Sequence, residues 1–445
     1  MGRRRLRFEF AIAVACFLGA SPAGAAEITR LVSVEKGEPF AMQLSARWDR
    51  LEEKASISRE DTSLATATPP FGGIDAPQLH YRRLRNDLVS RLAVALFYDL
   101  ELHVELPYVL SDDATYSPVS IGGTPIGPPS TTGGPDGPAG PGCPSPPCAL
   151  FPVGSPSSIV YHGGQLGDLM VGIAWAALSQ LRDDTKPTWV LGVDATFPTA
   201  KKYDPAAGRR DDWGSPYFVD TSRGPLGEKI WKWDFYTAVS RRLGAFDPYV
   251  KLHVTAEAPS NATYSNCDHA ADLAGLAGST GPQMASWAPA NCAAGPWKDR
   301  AGARLPWVGG LLFGAEILPF DDPREHQKIA IDLRLWGDYT SSQRFYNELT
   351  DLSGRLHETQ PFLTMGARAG LLLRASRYLA LAGSASYEIR TAHFLSGESA
   401  GGDLSNPADP NLNPNYDWRY DAPGNRFRIG EATVFTVQAS AVLDF

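Results

Sequence analysis

Residues 430–445 read GEATVFTVQASAVLDF and end the chain. Thr433, Phe435, Val437, Ala439, Ala441, Leu443 and Phe445 alternate with Thr436, Gln438, Ser440 and Asp444. Successive side chains of a strand point to opposite faces, so a period of two places one face against an apolar medium and the other against a polar one. The same alternation runs through Phe40, Met42, Leu44, Ala46 and Trp48, and through Leu102, Val104, Leu106 and Tyr108. It returns in Trp189, Leu191, Val193, Ala195 and Phe197, and in Ile329, Ile331, Leu333 and Leu335.

Twelve segments of this kind are predicted, at about 40–49, 88–97, 101–110, 166–178, 187–197, 229–240, 248–257, 306–318, 328–338, 361–373, 378–390 and 430–445. Ten residues at ~3.3 Å each, tilted by about 40°, rise about 25 Å, the height of an outer-membrane apolar band. The links between them sort into two classes that alternate along the chain. Short ones (98–100, 179–186, 241–247, 319–327, 374–377) separate long ones (50–87, 111–165, 198–228, 258–305, 339–360, 391–429). That sorting predicts an all-β fold: a single closed antiparallel up-and-down transmembrane β-barrel of about twelve strands. Its periplasmic turns are short, its extracellular loops are long, and both termini return to the periplasm. Closure follows because each unpaired backbone group in hydrocarbon costs several kcal/mol, so the sheet tolerates no edge. A lipocalin-like soluble barrel would turn its apolar face inward and has no use for twelve such strands.

Composition agrees. The 445 residues are 43% hydrophobic and 20% charged, with 43 Gly and 36 Pro, a turn-rich chain. The formal charge of −8 is a poor match for nucleic acid. After residue 25 no run approaches the ~18 apolar residues of a spanning helix. Residues 1–25 read as an export signal, with Arg3, Arg4, Arg5 and Arg7 ahead of an apolar run over 8–20 and a small-residue cleavage site at Ala23-Gly24-Ala25. Residues 26–39 then form a periplasmic N-terminal segment, and 40–445 the barrel. A membrane anchor or a lipoprotein signal at Cys16 fits less well, because the segment is short and its apolar run continues past the cysteine. In an exported chain the four remaining cysteines pair as Cys143–Cys148 and Cys267–Cys292, each closing a local loop. Neither pair has a His cluster nearby, so no metal or cofactor is expected.

If the apolar residues face lipid, the alternate ones line a lumen. These are Arg47, Arg91, Glu101, His103, Glu105, Asp168, Asp194, Lys232, Asp234, Lys251, His253, Glu257, Glu316, Asp332, Arg334, Asp338, Arg368, Glu388 and Arg390. Each either fills a narrow interior with ion pairs or rings a polar pore. Enzymatic roles find little support. A barrel phospholipase needs Ser two residues from its His on one strand face, and none of the eight His has Ser at that spacing. His253 has Thr255 there, which reads as an interior hydrogen-bond pair. Asp112-Asp113 and Asp268-His269 stand at heights suited to an omptin-like protease, yet acids are common in loops.

The ending VFTVQASAVLDF resembles the C-terminal strand that outer-membrane assembly machinery reads. Residues 164–180, GQLGDLMVGIAWAALSQ, followed by 191–205, LGVDATFPTAKKYDP, are similar to a hairpin of the family named for the meta-pathway of phenol degradation. Gly167, Asp168, Leu169, Gly172, Gly192, Pro198 and Thr199 carry the resemblance, while Ala200 stands where that family has glycine. It implies an outer-membrane channel for small, hydrophobic or aromatic molecules. The expected partners are therefore outer-membrane lipids, a small solute and the assembly machinery. A non-conducting structural or surface-interaction barrel with a filled lumen is the alternative.

Overall fold

The structure, a computed structural model, describes residues 26–32, 41–61, 74–97, 99–121, 124–125, 158–205, 224–268, 291–292, 297, 300–322, 324–403, 406 and 409–445. Twelve strands build the wall: β1 Met42–Asp61, β2 Ile74–Phe97, β3 Leu100–Pro118, β4 Leu169–Leu178, β5 Thr188–Phe197 and β6 Ile230–Ser240. They continue as β7 Phe246–Pro259, β8 Trp307–Asp322, β9 Gln327–Thr340, β10 Phe362–Arg374, β11 Leu379–Arg390 and β12 Ala432–Asp444. Each pairs antiparallel with the next, and β12 returns to β1 in register from Gln43 opposite Asp444 to Lys54 opposite Thr433. The closing ladder ends on reciprocal backbone bonds between Met42 and Phe445. The expected closed barrel is the observed one.

Alternation sets the faces. Leu252, Phe313 and Leu333 are 52%, 50% and 48% exposed on the outer surface, while Glu101 and His103 are buried inside. Trp307 and Tyr339, at the ends of strands joined to long loops, pack with ring centroids 5.3 Å apart on the exterior, where aromatic girdles sit.

The wall is uneven in height, and here the expected bounds give way. Residues 50–61 and 74–87, read as one long loop, are strand: β1 and β2 remain paired from Met42 opposite Val94 to Asp61 opposite Ile74. β3 likewise runs on to Pro118. Sequence periodicity hides this extension because the apolar phase reverses. Within the bilayer, Leu44, Ala46 and Trp48 face outward to lipid. Beyond Asp49, Arg50, Glu52 and Lys54 occupy that outer register, now in water, and Ala55 and Ile57 turn inward, where both are buried. β3 makes the same change by a bulge. Val109 pairs with Asp87 and Ser111 with Asn86, so Leu110 is the extra residue. The even-numbered residues that faced lipid up to Leu110 then point inward at Ala114 and Tyr116.

These inward residues nucleate an extracellular cap. Ile57, Leu79, Tyr81, Tyr116, Leu349, Leu352, Leu395, Tyr420 and Phe427 share one buried cluster. The long loops 339–360 and 391–429 are thus packed over the barrel and carry short elements, including a helical turn at Thr350–Ser353 and a strand at Phe427–Ile429 that pairs with β1. Cys267 and Cys292 form a disulfide beside this cap, as expected, and Asn266 and Asn291 fasten the same loop to Leu356 and Leu412. Residues 1–25 and the Cys143–Cys148 pair lie outside the described residues.

Leu333 lies near mid-strand on the lipid face, so Leu333→Arg is expected to lower barrel stability by about 2–4 kcal/mol. Denaturant unfolding in lipid vesicles measures this. A gain of similar size from Lys54→Leu, in the outward register above the belt, would place that position in lipid and contradict the assigned membrane boundary.

Candidate functional site

Inside the wall the expected lumen residues are brought together in networks. On β2 and β3, Arg91 donates to Glu101 at 2.6 Å and lies 3.3 Å from Glu105. His103 lies 3.1 Å from Glu101 and 3.0 Å from Asp194 of β5. Gly172 permits this crossing, since a Cβ at that position would collide with His103 and Asp194. On β6 and β7, Lys232 reaches Glu228 at 3.1 Å and Glu257 at 3.5 Å, Thr255 donates to Asp234 at 2.7 Å, and the Lys251 ammonium lies 4.2 Å from the centre of the Tyr236 ring. His253 and Asp338 approach to 3.5 Å over Gly310, where a Cβ would again collide with both. Arg47 pairs with Asp49 at 2.9 Å, and Arg334 with Asp332 at 2.6 Å. Arg368 stands directly opposite Arg334 in the β9–β10 ladder without an ion pair among the described residues. Glu388 borders the open space above.

That wall holds something the sequence did not reveal. Residues 26–32, expected in the periplasm, enter the barrel at its short-turn end. A single 3₁₀ turn at Glu27–Thr29 carries them. The Glu27 backbone N–H donates to Glu316, and that of Val32 to Glu101 at 2.7 Å. Thr29 shares a hydrogen bond with Ser240 at 2.7 Å, while the Glu27 carboxylate accepts from Arg334 at 3.0 Å. Leu31 packs against Ala174, Ala176 and Val190. Glu101, Glu316 and Arg334 therefore hold a plug as well as lining a wall. Charge-assisted bonds from buried carboxylates to backbone N–H groups are among the stronger hydrogen bonds. The segment's only regular structure is one short turn, which gives no periodic signal to read.

Between plug and cap lies a cavity of about 840 Å³. Nine carboxylates border it (Glu53, Glu105, Asp112, Asp168, Glu228, Asp338, Glu348, Asp351 and Glu388) against five Arg and Lys side chains and the His162 imidazole, so that with His162 protonated three negative charges remain in excess. Its roof is an ion-pair group. Arg83 holds Asp112 at 2.6 Å, and His162, on the strand Ser158–His162, meets Asp351 of the Thr350–Ser353 turn at 3.1 Å. Tyr203 also donates to Asp351. Burial alone would lower the pKa of His162, but the hydrogen bond and charge of Asp351 raise it. Burial likewise opposes ionisation of Asp351, and His162 and Tyr203 overcome it, holding that carboxyl below its usual range. Asp112, one of the acids at omptin-like height, is thus committed to Arg83. Among the described residues no group of three or more His, Cys, Asp or Glu is arranged to hold a metal.

An apolar belt outside, a charged interior and a closed twelve-strand wall define a transmembrane β-barrel. No protein-family model matches the chain, and no curated protein does. Solved structures match the chain over most of its length at low identity. An outer membrane channel from Pseudomonas putida F1 is 11% identical, covering 93% of this chain and 100% of that one, with a TM-score of 0.41. A FadL homologue of Pseudomonas aeruginosa is 10% identical over 91% of this chain and 90% of that one, at a TM-score of 0.32. The outer membrane protease OmpT of Escherichia coli is 7% identical over 91% and 97%, at 0.29. At such identities the function has to be read from the residues themselves.

The His162–Asp351 tie has a definite pH window. It is intact while Asp351 is ionised and His162 protonated, so it persists up to the unfolded-state His value of about 6.5. It is then lost as pH rises through the raised folded value of His162. Amides of 349–354 are expected to exchange with solvent more readily at about pH 9 than at about pH 6, after correction for intrinsic rates. His162→Gln should flatten that difference. A wild-type cap with the same protection at both pH values would exclude the tie as a determinant of cap closure.

Proposed function

We propose that the chain is a passive outer-membrane channel for small polar solutes, closed at rest by residues 26–32. The polar cavity of about 840 Å³ inside a lipid-jacketed wall carries this reading. A barrel whose interior were wholly filled by side chains would leave no such volume. The excess of carboxylates around it favours cations and molecules bearing a positive group, because a low-dielectric wall focuses the field of its fixed charges. The hydrophobic or aromatic cargo implied by the sequence resemblance is less well served by a lining so rich in ionised side chains. Desolvated polar groups left unpaired against an apolar solute cost free energy.

Among the described residues the plug is held by a few hydrogen bonds, the Arg30–Glu316 ion pair at 3.5 Å and one small apolar contact. Each bond has a net worth of about 0.5–3 kcal/mol. Opening on a functional timescale is consistent with that modest grip. The wall itself is fixed by continuous ladders and does not have to move.

Planar-bilayer recording tests the proposal. The wild-type chain should give discrete, mostly closed steps that are larger for cations. A chain with residues 27–32 replaced by Gly and Ser should stay open longer and conduct several-fold more. A silent bilayer with both forms would favour the filled structural barrel. Liposome swelling that was faster with neutral aromatic solutes than with small cations would favour the hydrophobic cargo instead.

A further inference from the structure

Two guanidinium groups face each other across adjacent strands near the middle of the barrel. Arg334 of β9 and Arg368 of β10 are direct partners in the ladder, and both lie in the inward register. Like charges at such positions repel unless something neutralises them. Arg334 is served by Asp332, whose other oxygen accepts from the Tyr249 hydroxyl. Asp332 is thereby fully engaged. Arg368 makes no ion pair among the described residues, and its Nε is buried without a hydrogen-bond partner. The second negative charge comes from the plug, since the Glu27 carboxylate accepts from Arg334 at 3.0 Å and its side chain is half exposed. With Glu27 in place two carboxylates balance two guanidiniums. With the plug withdrawn, one positive charge is left over.

We infer that the Arg334–Arg368 pair is a binding site for the carboxylate of a permeating solute, and that Glu27 is its built-in occupant. Planar guanidinium groups are suited to carboxylate recognition, and here Arg368 retains a donor without a hydrogen-bond partner. The acidic cavity above the site selects for positive charge, whereas the pair selects for negative charge. A small zwitterion, with an ammonium and a carboxylate in one molecule, satisfies both. Its carboxylate replaces that of Glu27, which couples solute entry to plug release. The inference rests on the channel reading for its biological use, but the site itself is open to test without conduction.

The experiment is a ligand-observed NMR titration of glycine into the full chain folded in detergent, with methylamine as the control that lacks a carboxylate. Where a competing group occupies a site most of the time, apparent affinity falls by the fraction left free. Glu27→Gln is therefore expected to tighten glycine binding by at least about tenfold, with methylamine binding unchanged. Arg368→Gln in the same background should abolish the gain. Gel mobility without heating checks that each variant retains its barrel, and Glu27, which lies outside the wall, provides a variant that does not disturb the strands. Glycine binding that ignores Glu27→Gln, or that survives Arg368→Gln in a folded barrel, would overturn the inference. Glycine binding with these dependences in a chain that gives no bilayer steps would leave the site standing and remove the channel.

Discussion

Hydrocarbon offers no hydrogen bonds, and that constraint organises the molecule. Every N–H and C=O at membrane depth has to be paired within the sheet, which requires the first and last strands to meet. They do so over a long register, from Gln43 opposite Asp444 to Lys54 opposite Thr433. Once the wall is closed, each residue has only two surroundings available, and the pleat assigns them alternately. Exterior positions become apolar, and interior positions become free to carry charge. The acidic cavity and the arginine pair are consequences of that partition, since ionised groups are tolerable at this depth only where they face one another or water.

The same partition explains which parts were legible in the sequence. Where one face meets lipid, alternation is unambiguous, and the strands from Leu169 to Asp444 fall within a few residues of their expected bounds. Above the bilayer the rule inverts. Ile57 and Tyr81 are apolar because they point inward to a protein core, while Arg50 and Lys54 are polar because they point outward to water. A reader who follows one phase sees the pattern stop and calls the remainder a loop. At Leu110 the bulge has the opposite effect: apolar residues at even positions on both sides of Asp112 conceal a change of face.

The interior was only partly legible. Spacing identifies Glu101, His103, Asp194 and Arg334 as inward, but it carries no information on partners from distant strands. The contact between His103 and Asp194 depends on a glycine of a third strand, Gly172, and the Glu27–Arg334 bond spans 307 positions. The plug was hidden for a simpler reason. A short segment held through its own backbone N–H groups needs acceptors in the wall, and almost any side chains of its own will serve. The signal lay in the acids that hold it, which were noticed for a different role.

The cross-link Cys267–Cys292 has a bearing on how the molecule is made. It lies in a long loop on the outer side of the membrane, whereas thiol oxidation of exported chains takes place in the periplasm. Formed there, the bond precedes the crossing of that hairpin. What traverses the nascent barrel is then a ring whose cysteines stand 25 positions apart, in place of a single thread. The order of oxidation and insertion then decides whether a thread or a ring crosses the membrane.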